Sequence, residues 1–315
     1  MARISSIGTY HPAKIVDNDF FAAADSSQQG IEKYFTGMKE RRHADPIDES
    51  GIFMGVRAAL DALNKADIDP ASIDLIIGCV VPNQHLCPED LNLVANGAGC
   101  KNAVVYPLHS ACSSFLSCLN VADAMIASGR INRVMIVNSN HWVGPMADHD
   151  SDTFPIAGDG AAATIVENGG DSFLDIEEIS CNDEDIFHSM QLKNPLFTGK
   201  KEIFKITQIE SVDNERLVSK PINVARTLLD RQTLAPDYFI AHQAGVGMLK
   251  HWMDILELDE SKLRHTFPLY GNMMSTNIPV TMNHYIESGE IKRGDTLLLF
   301  SPAAGAHYIS ILWRY

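Results

Sequence analysis

Two octapeptides 160 residues apart constrain this chain more than any other feature. Ile126-Ala127-Ser128-Gly129-Arg130-Ile131-Asn132-Arg133 and Ile286-Glu287-Ser288-Gly289-Glu290-Ile291-Lys292-Arg293 share five of eight residues without a gap. Each leads into an apolar run, 134–137 and 297–300. Earlier in each half, Asp74-Leu75-Ile76-Ile77-Gly78 is echoed by Asp237-Tyr238-Phe239-Ile240-Ala241. A supersecondary unit present twice takes the same local decisions twice, so the chain reads as two related βα halves, 1–168 and 169–315, packed as one unit. Chance similarity in so short a window is the competing explanation, and the matching offset weighs against it. Counting sixteen residues back from Ser128 gives Cys112, and sixteen back from Ser288 gives Asn272. The repeat thus predicts one strand-to-helix corner used twice, once with a thiol and once with an amide.

The remaining pattern fits alternating strands and helices. The run 74–81 is continuously apolar, as a strand buried on both faces should be. In 49–65, Ile52, Phe53, Val56, Ala59, Leu60 and Leu63 share one helical face. Pro88, with Glu89 and Asp90 behind it, opens a short helix. After a strand at 103–106, Phe115, Leu116, Leu119, Ala122, Met125 and Ile126 recur at helical spacing up to a stop at Gly129. Segments 4–7 and 134–137 are strands, and Gly158-Asp159-Gly160 turns tightly into another at 161–166. Those glycines lack the spacing of a dinucleotide fingerprint. Helices at 223–229, around 248–256 and at 278–289, strands at 238–241, 297–300 and 308–312, and a turn at 270–272 complete an α/β chain with buried sheets.

Charge and cysteine usage narrow the function classes. A net charge of -15 argues against nucleic acid or an anionic membrane as partner. Residues 1–8 are too short in apolar length for a signal peptide, and no stretch approaches a membrane span. Cys79, Cys87, Cys100, Cys112, Cys118 and Cys181 show no paired spacing, which fits a reduced, cytoplasmic protein. The loop holding His141, Trp142, His149 and Asp150 matches no metal-ligand spacing and reads as solvated. Nothing in the pattern calls for a metal or an organic cofactor.

Three residues at strand ends carry the chemistry. Cys112 sits at a strand-to-helix junction, where unpaired N–H groups and the helix dipole favour a thiolate; a small buried apolar cysteine is the commoner role. His242 closes the apolar run 238–241 and is either a proton shuttle or a structural histidine. Asn272 follows Gly271 and is either an amide donor or a turn residue. Together they present thiol, imidazole and amide at one rim of an α/β sheet, where ligands tend to bind. Such a set suits thioester chemistry: sulfur accepts an acyl group while His and Asn stabilise an oxyanion or enolate.

Thr36-Gly37-Met38-Lys39-Glu40-Arg41-Arg42, Ser110-Ala111-Cys112, Gly158-Asp159-Gly160-Ala161-Ala162, Ala241-His242-Gln243-Ala244 and Tyr270-Gly271-Asn272 with Ile278-Pro279 follow one another in this order. Over nearly its whole length the chain resembles thiolase-fold condensing enzymes of the β-ketoacyl-acyl-carrier-protein synthase III type. The resemblance implies an α/β, thiolase-like duplicated fold with five layers, α-β-α-β-α, in a homodimer. It implies ping-pong chemistry in which Cys112 takes an acyl group from an acyl-CoA or an acyl-carrier protein. His242 and Asn272 would then promote decarboxylation of a malonyl-type or β-ketoacyl extender. The backbone N–H groups of Cys112 and Ala304 would form the oxyanion hole, and Cys87 and Phe154 would stand in the substrate tunnel.

The chain also departs from that pattern. Ile31 and Phe35 replace the Trp and Arg with which acyl-CoA users grip the adenine. Gly245 and Gly247 stand where the family has Asn and Arg, and Ser301-Pro302-Ala303-Ala304-Gly305-Ala306 replaces a glycine loop. Cys87 replaces a large aromatic that enters the partner's tunnel; some relatives have a glutamate base there, and here Glu89 lies two positions away. These differences point to a specialised, secondary-metabolic relative with weakened CoA recognition and a wider or differently lined tunnel. Its carrier-protein donor would dock on Lys39, Arg41 and Arg42, unless those residues are merely solvated. An acyltransferase passing the acyl group to oxygen or nitrogen, and a non-catalytic partner subunit, are the competing functions. A degradative thiolase does not fit, because 301–306 lacks the second cysteine of that chemistry.

Overall fold

Strands apolar on both faces need cover on both sides, and that requirement sets the layering. A computed structural model describes residues 2–20, 37–146, 156–170, 172–182, 191–192, 206–207 and 218–315. The first half runs β1 (Ala2–Tyr10), β2 (Lys14–Asp17), β3 (Glu40–His43), α1 (Gly51–Ala66), β4 (Leu75–Val81), α2 (Asp90–Gly97), β5 (Val104–Pro107), α3 (Ser114–Ala127), β6 (Arg133–Asn140), α4 (Val143–Met146) and β7 (Gly160–Asn168). The second runs β8 (Phe173–Ser180), β9 (Gln191–Leu192), β10 (Ile206–Thr207), α5 (Asn223–Asp230), β11 (Tyr238–Ala241), α6 (Val246–Leu256), α7 (Phe267–Tyr270), α8 (Asn277–Glu287), β12 (Thr296–Ala303) and β13 (His307–Arg314).

Five strands form one sheet in the order β1-β7-β6-β4-β5, and four form another in the order β11-β12-β13-β8. Strands β4, β5 and β6 are parallel, as are β11 and β12. Alternate residues of these strands enter different cores. Leu75, Ile77, Val134 and Ile136 meet Leu297, Leu299, Ile309 and Ile311 in a central cluster that also holds Phe115, Leu119, Ile278 and Met282 of α3 and α8. Ile76, Met135 and Val137 turn outward to α1 and α2. Leu298, Phe300, Phe239 and Leu312 turn outward to α5 and α6. The layers are therefore helices, sheet, buried helix pair, sheet, helices, the five-layered arrangement anticipated from the resemblance. Among the described residues no helix is long and apolar enough to cross a membrane.

Helix α1 begins where expected, with the Ser50 hydroxyl accepting from the Phe53 N–H at 3.1 Å. Its buried face differs from the expected one. Gly51, Met54, Gly55, Ala58, Ala59, Ala62 and Leu63 are buried, whereas Phe53 is exposed and meets Tyr10 edge-on. Small residues line the true face because the helix lies close against the sheet: a Cβ on Gly8 would stand 2.2 Å from Ala62 N. The hairpin of β2 and β3 and the half-exposed strand β8 carried no clear sequence signal.

The two octapeptides are two copies of one helix stop. Ser128 and Ser288 cap α3 and α8 with φ of -70° and -71°, and Gly129 and Gly289 follow at φ 73° and 76°. The echoed aspartates are likewise equivalent: the Asp74 carboxylate accepts from Arg133 N at 2.9 Å and that of Asp237 from Thr296 N at 2.8 Å. The count of sixteen residues, however, does not locate equivalent corners. Helix α3 has 14 residues and α8 has 11, so the match slips by three before reaching the corner. The equivalent turns are the 3₁₀ segments Ala111–Ser113 and Met274–Thr276. Each opens on a left-handed residue, Ala111 at φ 52° and Met274 at φ 54°. The twin of Cys112 is Ser275, and Asn272 lies just ahead of that corner.

Candidate active site

Cys112 lies in the 3₁₀ turn between β5 and α3, and only 8 % of its surface is exposed. It packs with Trp142, Val143, Ala157, Met274 and Ala303. The backbone N–H groups of Ala304 and of Cys112 itself lie beside the sulfur and pull its pKa down. A cavity of about 180 Å³ adjoins it, lined by Val81, His109, Ala111, Trp142, Met274 and Ala304 among others.

The thiolate expected from the helix terminus is not the resting form. Burial pushes the thiol up to about 12, and the two N–H groups, which act in the opposite direction, do not offset it. Desolvation wins because Trp142, Val143, Ala157, Met274 and Ala303 pack around the sulfur, whereas the dipole acts only through its end.

His242 follows β11, and its ring is buried with Nδ1 3.3 Å from the Met274 carbonyl oxygen. A carbonyl only accepts, so Nδ1 carries the proton and Nε2 is left bare. Burial lowers the imidazole to about 4, against the pull of that carbonyl. Thiol and imidazole are thus both uncharged at neutral pH.

Asn272 is set by a close approach of two loops. Asn272 N donates to Ile156 O at 2.7 Å and Gly158 N donates to Asn272 O at 2.9 Å. A Cβ on Gly158 would stand 2.1 Å from Tyr270 O, and one on Gly271, at φ 63°, 2.4 Å from Ile156 O. Glycine at both places is therefore what lets the two motifs meet. The side-chain Oδ1 accepts from Met274 N at 2.9 Å. That bond orients the amide, so Nδ2 is its available donor.

Met274 joins the three predicted residues. Its side chain packs beside Cys112, its N–H holds Asn272, and its carbonyl holds His242. Nothing in the sequence marks it, because a left-handed methionine has no sequence signature. Asp159, noticed only as part of a glycine pattern, is a buried brace. Its carboxylate accepts from Trp142 N at 2.7 Å, Val143 N at 3.0 Å and Ala44 N at 2.9 Å. Burial raises it to about 7 against those bonds. The supposedly solvated loop is correspondingly corrected: His141 and Trp142 are buried at 8 % and 6 % exposure. Among the described residues no cluster of His, Cys, Asp and Glu can hold a metal.

The expected basic docking patch is also corrected. Arg41 is fully buried, bonding Val16 O and Asn18 Oδ1, and Arg42 pairs with Glu40 at 3.6 Å, so only Lys39 stands out in solvent. Cys87 is exposed. Phe154, Ile31, Phe35, Thr36, His149 and Asp150 lie outside the described residues.

Comparison with known proteins follows this geometry. The profile described as 3-Oxoacyl-[acyl-carrier-protein (ACP)] synthase III matches residues 106–182, and its C-terminal counterpart matches residues 232–315. The β-ketoacyl-[acyl-carrier-protein] synthase III of Aliarcobacter butzleri is 33 % identical over 328 residues, covering 100 % of this chain and 98 % of its own. The protein of the same name from Aquifex aeolicus is 28 % identical, covering 99 % of each chain. The crystal structure of 3-oxoacyl-[acyl-carrier-protein] synthase III from Aquifex aeolicus superposes with a TM-score of 0.87 at 24 % identity, covering 100 % of both chains, and attests the fold.

Proposed function

The chain belongs to the 3-oxoacyl-[acyl-carrier-protein] synthase III family, and on that premise we propose that Cys112 is its nucleophile, with His242 as base and Asn272 as enolate donor. It is an acyl-thioester condensing enzyme, a transferase that forms a β-ketoacyl product. The observation carrying the residue roles is the shared anchoring of Asn272 and His242 on Met274, beside the Cys112 sulfur.

Because thiol and imidazole rest uncharged, the proton leaves sulfur as the carbon–sulfur bond forms. Bare Nε2 of His242 takes it while Cys112 attacks the thioester carbonyl. The oxyanion of the tetrahedral intermediate accepts from the N–H groups of Cys112 and Ala304, which already aim at the sulfur. Collapse expels the donor thiolate, which takes the proton back from His242, and leaves acyl-Cys112. A malonyl-type thioester then loses carbon dioxide, and its enolate oxygen accepts from Nδ2 of Asn272. In the resting tautomer only the amide donates; the imidazole donates once protonated. The enolate carbon attacks acyl-Cys112 and releases the Cys112 thiolate for reprotonation.

Acyl-carrier-protein or acyl-CoA thioesters are the proposed donors. Gly245 and Gly247 border open space, a Cβ on either meeting nothing within 4 Å, which supports a grip on CoA weaker than the family's. A homodimer formed through β5 is likewise our inference. That edge strand exposes Val104 at 51 % and Tyr106 at 48 %, an open ladder that invites pairing. Nearby, the buried Asp90 carboxylate accepts from Gln84 N at 2.6 Å and His85 N at 3.0 Å, so the loop presents Leu86 and Cys87 outward. A cytoplasmic location fits six free thiols.

Intact-mass spectrometry of wild type and Cys112→Ala, each incubated with a panel of acyl-CoA and acyl-carrier thioesters, tests the assignment. One acyl adduct on wild type and none on the variant is expected, followed by carbon dioxide release when a malonyl thioester is added. An adduct of equal yield on Cys112→Ala would overturn it.

A further inference from the structure

Ser113, His307 and Glu178 form a hydrogen-bonded chain that the mechanism above leaves unused. Ser113 Oγ lies 2.6 Å from His307 Nδ1, and His307 Nε2 lies 2.8 Å from Glu178 Oε1. A carboxylate only accepts, so Nε2 carries the ring proton toward Glu178 and Nδ1 faces the serine. The second carboxylate oxygen accepts from Asn120 Nδ2 of α3 at 3.2 Å. Glu178 stands on β8 and His307 opens β13, paired strands in which Ser180 faces His307.

A serine, a histidine and an acid in sequence resemble a hydrolytic triad, but this serine is not placed to attack substrate. Ser113 is fully buried, and its hydroxyl also lies 2.7 Å from Ser110 O and 3.1 Å from Ser110 Oγ. The placement of the chain points elsewhere. Ser113 follows Cys112 in the same 3₁₀ turn, and His307 follows the loop 304–306 whose first N–H reaches the sulfur. Within that loop Gly305 and Ala306 adopt φ of 84° and 53°. The hairpin carrying the loop is tied to the nucleophile turn on both strands. On β12, Ser301 Oγ donates to the Cys112 carbonyl at 3.1 Å. On β13, His307 meets Ser113, with its ring held from behind by Glu178.

An oxyanion hole built from two distant segments works only if both N–H groups are held at hydrogen-bond range of one point. A displacement of about 1 Å can cost about 10²-fold in rate. We propose that Ser113, His307 and Glu178 are positioning residues that lock the Ala304 N–H against the Cys112 N–H and so set the acyl oxyanion hole. This rests on the assignment of that hole given above.

The test uses full-length Ser113→Ala, His307→Ala, their double variant, His307→Asn and Glu178→Gln, beside wild type. One readout is the single-turnover rate of Cys112 acylation. The other is carbon dioxide release from a malonyl thioester by enzyme acylated to completion beforehand, a step served by Asn272 rather than by the hole. Ser113→Ala and His307→Ala are each expected to slow acylation roughly 10- to 100-fold, with KM for the acyl thioester and carbon dioxide release within about twofold. The double variant should be no slower than either single one, since the residues act as one unit. Gln at 178 keeps an acceptor oxygen and should hold acylation within about threefold of wild type. Asn at 307 keeps a polar atom near the Nδ1 position but loses the bond to Glu178 and should recover acylation only in part. Unchanged acylation in His307→Ala, or a parallel fall of both readouts across all five variants, would overturn the proposal. Failure of wild type itself to acylate would instead defeat the underlying assignment.

Discussion

The corner at Cys112 and its twin at Ser275 share a backbone and differ in what they do with it. Both open on a left-handed residue, Ala111 at φ 52° and Met274 at φ 54°. Both close with a hydroxyl turned back on the residue ahead of the turn, Ser113 Oγ lying 2.7 Å from Ser110 O and Thr276 Oγ1 2.7 Å from Met273 O. In the first corner the middle residue is the proposed nucleophile, a thiol beside a cavity. In the second the middle residue, Ser275, is buried at 3 % exposure with its hydroxyl engaged by Asn140. There the left-handed residue matters instead, because its N–H and carbonyl orient Asn272 and His242. Duplication thus supplied one frame, and chemistry divided between its copies according to which atom of the turn faces the site.

The sharpest way to break this comparison is to move the thiol. In the double variant Cys112→Ala with Ser275→Cys, acylation measured by intact mass should fall at least about 10³-fold, because position 275 is buried against Asn140 and the N–H of residue 304 serves the first corner. Acylation at position 275 near the wild-type rate would mean that the two corners are interchangeable. Next in size, Asn272→Ala should lower the kcat of condensation by about 10²–10³, while the rate of Cys112 acylation stays within about twofold. Equal losses in both half-reactions would show that the corners do not divide the work.

The two corners should also answer to opposite ends of the pH scale. His242 falls to about 4 in the fold from an ordinary 6.5. Between those values the unfolded chain binds the extra proton, so stability present above pH 6.5 is lost as pH falls toward 4. For one fully buried group this amounts to about 3 kcal/mol at most. The Cys112 thiol rises from 9.0 to about 12. Here the folded chain keeps the extra proton, so stability present below pH 9 is lost as pH climbs toward 12. Urea unfolding across pH should show His242→Gln flattening only the acid limb and Cys112→Ala only the alkaline limb. The difference from wild type is the measure, since His11, His43, Cys79, Cys100 and Cys118 shift in the same senses. Smallest of all, Ala111→Gly relieves a left-handed alanine worth about 1–2 kcal/mol but loosens the unfolded chain by about 0.5–1 kcal/mol. A net gain of no more than about 1 kcal/mol in urea unfolding is expected; a loss would mean that the Ala111 methyl matters more than its backbone.

What was legible in the sequence was local or periodic. The run 238–241 became Tyr238–Ala241, and 74–81 became Leu75–Val81, because a strand buried on both faces has no choice but to be apolar throughout. His242 could be singled out because it stands just beyond such a strand, Asn272 because it follows a glycine, and Cys112 because it lies at a strand-to-helix junction. What escaped depended on tertiary enclosure. The helix terminus at Cys112 was visible, yet the desolvation that overrides it comes from Trp142, Val143 and Met274 on other elements. Arg41 looked like surface charge in a basic run, but pairing of β2 with β3 turns it inward onto Val16 O and Asn18. Phe53 looked like core by its spacing, whereas close contact with the sheet favours small residues on the buried face of α1, five of whose seven members are Gly or Ala. The sixteen-residue count found Asn272 by an offset that the shorter second helix does not keep.

Met274 gives its main chain and its side chain different tasks. Its main chain orders His242 and Asn272, the groups proposed to handle the extender, whereas its side chain helps wall the neighbouring void. Evolution, or a protein engineer, can therefore trade this methionine for a bulkier or slimmer residue to resize the acyl chamber while the extender machinery keeps its aim. On the proposed roles, selectivity for chain length and competence for carbon–carbon bond formation would be independently adjustable at this one position.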